Sequence, residues 1–432
     1  MSLIAKCKNP VIRNSMIYMG TDAFSRAISF LLLPLISKYL IPAELGIAAN
    51  FDVLQSILAL LTGQAVVNAL PYFFYKKTKE DLALLVSNLI WIIVFFNIVF
   101  SLFIFIGSGI INSYLKLGGL LQILTVVVVI SMLLSEIDKL IFRLEDKPGQ
   151  FAILQLAQSF IYIILQVIMV IGLRMQAVGR IYSSVISVSL LCCVHLYILY
   201  RKKYIVFNID WTEIKSLLQF GVPLLPHSLS FWLKSGLDKV LLTTYCGLAV
   251  NGLYSMAMTF GAIYAMCQQS FSRAYVPYLQ KRLNSITESN EESEKIKIVK
   301  QTYAFGLLFI LLFALLIPFC WVVVHYVIND KYLGCFTFIP FILLARTIHS
   351  FYSFTVEYVY TAKKTVGLGI ITFSGSLIQL VATFILIRFV GVDGIKISIV
   401  LGEILILIAV WWYSNRVYPM PWFNVAKLIK GA

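Results

Sequence analysis

The sequence predicts an all-α polytopic membrane protein of about 12 transmembrane helices, arranged as two parallel six-helix bundles. Three observations predict it. First, 60% of the 432 residues are hydrophobic and 13% are charged, with a mean hydropathy of +0.89. Soluble domains are about 45–50% apolar and about 25% charged. Second, apolar runs of roughly 20 residues recur from end to end, each long enough to cross a hydrocarbon core of about 30 Å. Third, Tyr39, Ala43, Gly46, Pro71 and Tyr72 recur without a gap as Tyr245, Ala249, Gly252, Pro277 and Tyr278, each 206 positions later. Ile57 and Ala59 match Ile263 and Ala265 at the same interval. The shared Gly and Pro positions weigh more than Ile or Ala because they mark backbone geometry. A chain that repeats at half its length reads as two copies of one unit, an organisation typical of transporters with a path between the halves.

The apolar runs place spans near 13–40, 43–70, 82–106, 118–142, 150–173 and 177–200 in the first half. In the second half they lie near 214–242, 247–273, 302–328, 334–360, 365–390 and 392–413. Pro42 and Gly247 sit in short gaps, so spans one and two, and seven and eight, form tight hairpins. The halves are 1–205 and 206–432, joined by a segment near 201–215. Six spans in each half leave both copies the same way up. The first run carries Asp22 and Arg26 and is too long for a signal peptide, so it is expected to stay. The longest polar stretch, near 279–301, reads as a solvated connection or a short surface helix. Seven cysteines are scattered without metal-ligand or disulfide spacing and read as small core residues.

Lys and Arg collect on one face: Lys6, Lys8, Arg13, Lys76, Lys77, Lys79, Arg143, Lys147, Arg201, Lys202 and Lys203. The second half adds Lys281, Arg282, Lys295, Lys297, Lys300, Lys363, Lys364, Arg416, Lys427 and Lys430. The opposite loops offer little more than Lys116, Arg174 and Lys331. The positive-inside rule therefore puts both termini in the cytoplasm. This asymmetry accounts for most of the formal charge of +15, and no nucleic-acid partner is needed to explain it.

Ionisable side chains at membrane depth are costly and are expected to face a cavity or a partner. Span one carries Ser15, Tyr18, Asp22, Arg26 and Ser29 on one helical stripe. Span seven carries His227, Ser230, Lys234 and Asp238, with Lys239 beside them. Span ten carries Arg346, His349, Ser350, Ser353 and Glu357. Spans two and eight add Asn50, Asp52, Gln55, Gln64, Asn68, Gln268, Gln269 and Arg273. Two readings stand for Asp22–Arg26 and for Lys234–Asp238. As i,i+4 pairs each either neutralises itself on its own helix or lines a water-filled path. Arg346 has no acid within four positions and is read as a path residue. Asp52, Arg273 and Glu357 are open to function or to snorkelling at an interface. The charges do not repeat: 206 positions beyond Asp22 and Arg26 stand Ser228 and Trp232.

The stretch Phe220-Gly221-Val222-Pro223-Leu224-Leu225-Pro226-His227-Ser228-Leu229-Ser230, with Asp238-Lys239 beyond it, resembles the seventh span of Wzx-type polysaccharide flippases. Tyr245-Cys246-Gly247-Leu248-Ala249-Val250-Asn251-Gly252-Leu253-Tyr254 is similar to the segment that follows it there. The six-plus-six layout extends the likeness over the whole chain, within the multidrug/oligosaccharidyl-lipid/polysaccharide exporter superfamily. The resemblance implies a V-shaped, MATE-like pair of bundles working by alternating access. It implies undecaprenyl-diphosphate-linked oligosaccharide, O-antigen or similar, as cargo moved from the cytoplasmic to the periplasmic leaflet of the bacterial inner membrane. As carboxylates at membrane depth, Asp22, Asp238 and Glu357 are candidate carriers of a coupling proton, with H+ or Na+ as the expected coupling ion and membrane lipid, a polysaccharide polymerase and a chain-length regulator as expected partners. No cofactor or metal is expected. Lys234, Arg346, Arg26 and Arg273 suit a diphosphate, and Ser, Gln, Asn and Tyr suit sugar hydroxyls.

Two other functions compete with this one. A drug or organic-cation exporter of the same superfamily needs an acid-dominated cavity, and these stripes carry at least as many bases as acids. A membrane polysaccharide polymerase needs a sizeable outer loop or a catalytic cluster. The outer loops are short, and His227, His325 and His349 form no Ser/His/Asp or metal arrangement. The expectation is a transporter and not an enzyme.

Overall fold

The computed structural model describes residues 10–287 and 289–423, and every regular element among them is helical. Six long helices make up the first half: α1 (Pro10–Leu31), α2 (Pro42–Ala59), α3 (Lys79–Ile106), α4 (Gly119–Leu144), α5 (Pro148–Gln166) and α6 (Gln176–Arg201). Three short ones follow: α7 (Trp211–Gly221), α8 (Leu225–Ser235) and α9 (Leu237–Tyr245). The rest are α10 (Leu248–Leu283), α11 (Glu291–Tyr326), α12 (Ile339–Thr361), α13 (Thr365–Val390) and α14 (Val392–Val417). Lys6, Lys8, Lys427 and Lys430, assigned above to the basic face, lie outside the described residues.

Eleven stretches of the described residues are long and apolar enough to cross a membrane. The expected seventh span is not among them, because it is cut into α7, α8 and α9. The cuts fall where the sequence weakens a helix. Pro223 and Pro226 remove backbone donors between α7 and α8, and Gly236 separates α8 from α9. The polar stretch near 279–301 is also more ordered than a surface connection. α10 runs on to Leu283 and α11 begins at Glu291, so both membrane helices extend out of the apolar zone. Glu294 on α11 takes hydrogen bonds from Arg282 Nε and Nη2 at 2.9 and 2.7 Å, stitching the extensions together. Glu291, Glu292 and Glu294 occupy the first turn of α11, where the helix dipole favours acids.

The chain divides into two compact units, one through Gly252 and one from Leu253 onward. In the first, α4 packs on α6, α2 and α3, and α9 packs on α2. Its main core joins Leu85, Val86, Leu89 and Ile93 of α3 to Leu133, Ile137 and Ile141 of α4 and Leu199 of α6. In the second, α14 packs along both α12 and α13. There Phe271, Tyr275, Phe305, Phe309 and Phe354 interlock in edge-to-face, tilted and stacked pairs, with centroids 4.8–6.2 Å apart.

The internal repeat has a physical counterpart at one crossing. A methyl group added to Gly46 would collide with the Leu248 carbonyl, and one added to Gly252 with the Pro42 carbonyl. Leu248 stands 206 positions after Pro42, as Gly252 does after Gly46. The two contacts are therefore the same contact made twice, as at a local two-fold axis. Only glycine lets the two backbones approach so closely.

Candidate functional site

The first unit holds an ionic cluster at membrane depth. Asp52 lies ten residues into α2, about 15 Å along the helix from Pro42. Its side chain is exposed at the surface of the helix bundle. Arg180 of α6 and Lys239 of α9 both act electrostatically on Asp52. Tyr162 of α5 hydrogen-bonds Arg180 and takes Gln166 as a further neighbour. Asp238, buried on α9, acts on Lys239. Residues from α2, α5, α6 and α9 thus converge on one carboxylate flanked by two cations. At membrane depth such charges interact more strongly than they would in bulk water.

Beside the cluster, α9 is held to α2 by a buried amide network. Asn50 Nδ2 donates to the Leu115 carbonyl at 2.7 Å and to Thr243 Oγ1 at 3.0 Å. Asn251 Nδ2 donates to Asn50 Oδ1 at 2.8 Å. Asn50 and Asn251 are fully buried. Further along α2, Trp232 Nε1 of α8 donates to Ser56 Oγ at 3.0 Å. Glu44, in the first turn of α2, accepts from the Ala177 amide at 2.8 Å, which caps the start of α6. These contacts fix the helix ends that carry Asp52, Arg180 and Lys239.

Toward the basic-loop end the first unit contains a second polar pair. Asp138 Oδ2 of α4 lies 2.7 Å from Nδ1 of His195 on α6, with both side chains 0% exposed. Neighbouring Lys139 donates to Gln158 of α5 at 3.2 Å. Beyond the helix ends, Glu145 accepts from Lys147, Lys202 and Tyr204 at 2.8, 3.0 and 2.8 Å. Burial works to raise the Glu145 carboxyl, but those three donors hold it below the usual carboxylate range. Tyr204 is pushed up by burial and by its bond to Glu145.

The polar residues of the second unit lie along α10, α12 and α14. His349 Nδ1 is 3.2 Å from Glu403 Oε2. Gln280 Nε2 donates to Glu357 Oε2 at 2.8 Å, and Gln268 donates to Ser353 at 2.9 Å. Near the basic-loop end, Thr302, Tyr303, Phe354, Trp411, Trp422 and Phe423 are among the residues lining an almost wholly apolar cavity of about 320 Å³.

Comparison with known proteins assigns this helical framework. The family described as polysaccharide biosynthesis protein matches residues 35–335. The chain belongs to that family. Among curated proteins of Haemophilus influenzae (strain ATCC 51907 / DSM 11121 / KW20 / Rd), it is similar to Lsg locus putative protein 1, with 20% identity over 94% of this chain and 98% of that one. It is also similar to an uncharacterized membrane protein of the same strain, with 22% identity over the same shares. Among solved structures it resembles an inward-facing multidrug resistance MATE family transporter of the MOP superfamily. The TM-score there is 0.71 at 14% identity, covering 93% of this chain and 96% of that one. It also resembles the lipid II flippase MurJ in an inward closed conformation, with a TM-score of 0.66 at 12% identity over 91% and 86%. At such identities the likeness is one of fold. This polysaccharide biosynthesis protein is therefore a membrane protein with the fold shared by MATE transporters and MurJ.

Within this family member the sequence-selected residues fall in several places. Asp238 and Lys239 join the Asp52 cluster, while Lys234 is half-buried one turn earlier on α8. The side chain of His227 lies outside the described residues. Asp22 acts on Lys139, Arg26 is exposed, and no ion pair joins Asp22 to Arg26 among the described residues. Arg273 is exposed on α10, Arg346 is half-buried on α12, and Glu357 is held by Gln280. Sequence reasoning missed Arg180, Tyr162, Asp138 and His195. The available signal was an ionisable or aromatic-hydroxyl side chain inside an apolar run, and Asp138 and His195 both carry it.

Proposed function

We propose that this protein carries a lipid-linked, anionic saccharide from one leaflet to the other, with undecaprenyl-diphosphate-linked oligosaccharide as the cargo. Support comes from one observation above all: Arg180 and Lys239 converge on Asp52 in a chain of the polysaccharide biosynthesis family. Two cations suit a diphosphate, which accepts charge-assisted hydrogen bonds through several oxygens. An arriving headgroup competes with Asp52 for both of them and so exchanges one anion for another at little electrostatic cost. Asn, Gln, Ser and Tyr side chains serve the sugar, and the lipid tail stays in the bilayer. In this reading 1–205 and 206–432 are the two moving bundles and both termini face the cytoplasm of a bacterial inner membrane. The remaining path residues are Asp22, Arg26, His227, Lys234, Asp238, Arg273, Arg346 and Glu357. A polymerase and a chain-length regulator act on the delivered units, and H+ or Na+ drives the cycle.

The test is complementation of a deletion strain with Arg180→Ala and Lys239→Ala. Each removes a charge-assisted contact of about 1.5–3 kcal/mol, so surface polysaccharide should fall about tenfold or more while lipid-linked units accumulate inside. Unchanged surface polysaccharide at normal protein levels sinks the proposal. The fold is shared with a multidrug transporter, so a change in resistance to cationic amphiphiles without any change in polysaccharide would establish the drug-exporter reading instead.

A further inference from the structure

We propose that Asp138 and His195 form a proton-binding site between α4 and α6, holding one proton beyond that of the neutral imidazole. The pair sits six residues from the basic-loop end of each helix, about 9 Å deep. The same two helices place Leu133, Leu134, Ile137 and Ile141 of α4 and Cys192 and Leu199 of α6 in the main buried core. Asp138 Oδ2 and His195 Nδ1 are 2.7 Å apart, within the range of a charge-assisted bond. The outer atoms, Asp138 Oδ1 and His195 Nε2, are buried and have no hydrogen-bond partner among the described residues. An amide–amide or hydroxyl pair would do the structural task of bridging two helices without these open valences.

The charge balance explains why the proton stays. With it, imidazolium and carboxylate cancel; without it, a lone carboxylate is left in a sealed apolar layer. Such a charge is far too costly to leave uncompensated. The ionisable neighbours are few. On α4 they are Glu136, Lys139 and Arg143, with Lys139 bonded to Gln158 and acted on by Asp22 of α1. On α6 there is Cys192, and beyond it Tyr204 acts on Asp138. α3 also packs on α4 but carries no ionisable side chain beyond its first turn. α2 brings Glu44 and Asp52, and α5 brings Tyr162. None replaces the missing proton at Asp138. Proton release therefore requires water to reach the pair, which means parting α4 from α6 at the basic-loop end, where the proton passes to that water. By linkage, holding the proton favours the closed packing. The site supplies a coupling proton to the transport proposed above, yet its existence does not depend on what is carried.

The experiment is nitrogen-15 NMR of the full chain, labelled at its four histidines and held in lipid nanodiscs, with His195 assigned through His195→Gln. Both His195 ring nitrogens should carry protons in the unaltered protein, and those protons should exchange slowly with water. Asp138→Asn should return the ring to its neutral form. A neutral His195 ring in the unaltered protein overturns the proposal, and so does a doubly protonated ring that Asp138→Asn leaves unchanged. The unaltered protein alone decides the first outcome if the variant fails to fold. No transported substrate enters the measurement, so its failure leaves the proposed function standing.

Discussion

Two histidine–carboxylate pairs join matching helices in the two halves, and they differ in every physical respect. In the first half the acid is on the fourth span and the histidine on the sixth; in the second half His349 is on the tenth and Glu403 on the twelfth. The first pair is 2.7 Å apart and sealed, at 0% exposure on both sides. The second is 3.2 Å apart, at 28% and 12%. The repeat offset carries neither pair onto the other, since 206 positions beyond Asp138 and His195 stand Leu344 and Leu401. One kind of bridge thus occurs in a sealed site and in a partly exposed one. Solvent decides what each can do. A sealed pair must keep its charges balanced, whereas an accessible one can gain or lose a proton without moving a helix.

The comparison breaks first at the pairs themselves. Asp138→Ala leaves a buried histidine unpaired and should cost about 3–5 kcal/mol, whereas His349→Ala should cost about 1 kcal/mol or less. Thermal unfolding of both variants in the same detergent checks the order. The double change Asp138→Leu with His195→Leu should recover most of the loss, because an apolar pair of similar volume needs no desolvation. Equal losses at the two sites would mean that burial is not what distinguishes them.

Next in size is the repeated glycine crossing. Gly46→Ala and Gly252→Ala should each cost about 1–3 kcal/mol, because the obstruction is backbone carbonyl and cannot rotate away. Gly20→Ala on α1 meets nothing within 4 Å and should be neutral or slightly stabilising. Asn50→Ala follows at about 1–3 kcal/mol, since it leaves the Leu115 carbonyl and Asn251 short of partners. At the corresponding place 206 positions on, Met256 is buried without such a network, so Met256→Leu should cost less than about 1.5 kcal/mol.

The smallest effect concerns the basic-loop ends. Glu145 is depressed in the folded state, so its contribution is present above the unfolded carboxylate value of about 4.3 and is lost as pH falls through the lower folded value. Glu145→Gln should lower stability at neutral pH by about 1 kcal/mol or less and flatten the acid limb of the stability curve. An unaltered acid limb would remove Glu145 from the account.

Much of this was legible beforehand. Nine of the twelve expected spans have one continuous long helix as counterpart; a brief break after Leu31 interrupts the first, and a π-helical turn at Leu60–Gln64 with a break at Asn68–Ala69 interrupts the second. The seventh failed because Pro223, Pro226 and Gly236 cut a run whose hydropathy alone looked continuous. The site was legible in part. Lys239 and Asp238 were found because span seven shows a charged stripe, but Arg180 sits four residues into α6 and looks like a helix-end charge. Asp138 and His195 are 57 residues apart, and no periodicity links residues on different helices.

The sequence by itself determined that this chain spans a membrane, and how many times to within one helix. Hydrophobic length and backbone-marking residues are local properties, and local properties survive in one dimension. Tertiary structure alone decided that Asp52 meets Arg180 and Lys239, that Gly46 and Gly252 share one crossing, and that one His–carboxylate pair is sealed and the other partly exposed. Those outcomes depend on distance and solvent access between helices, and only packing sets them.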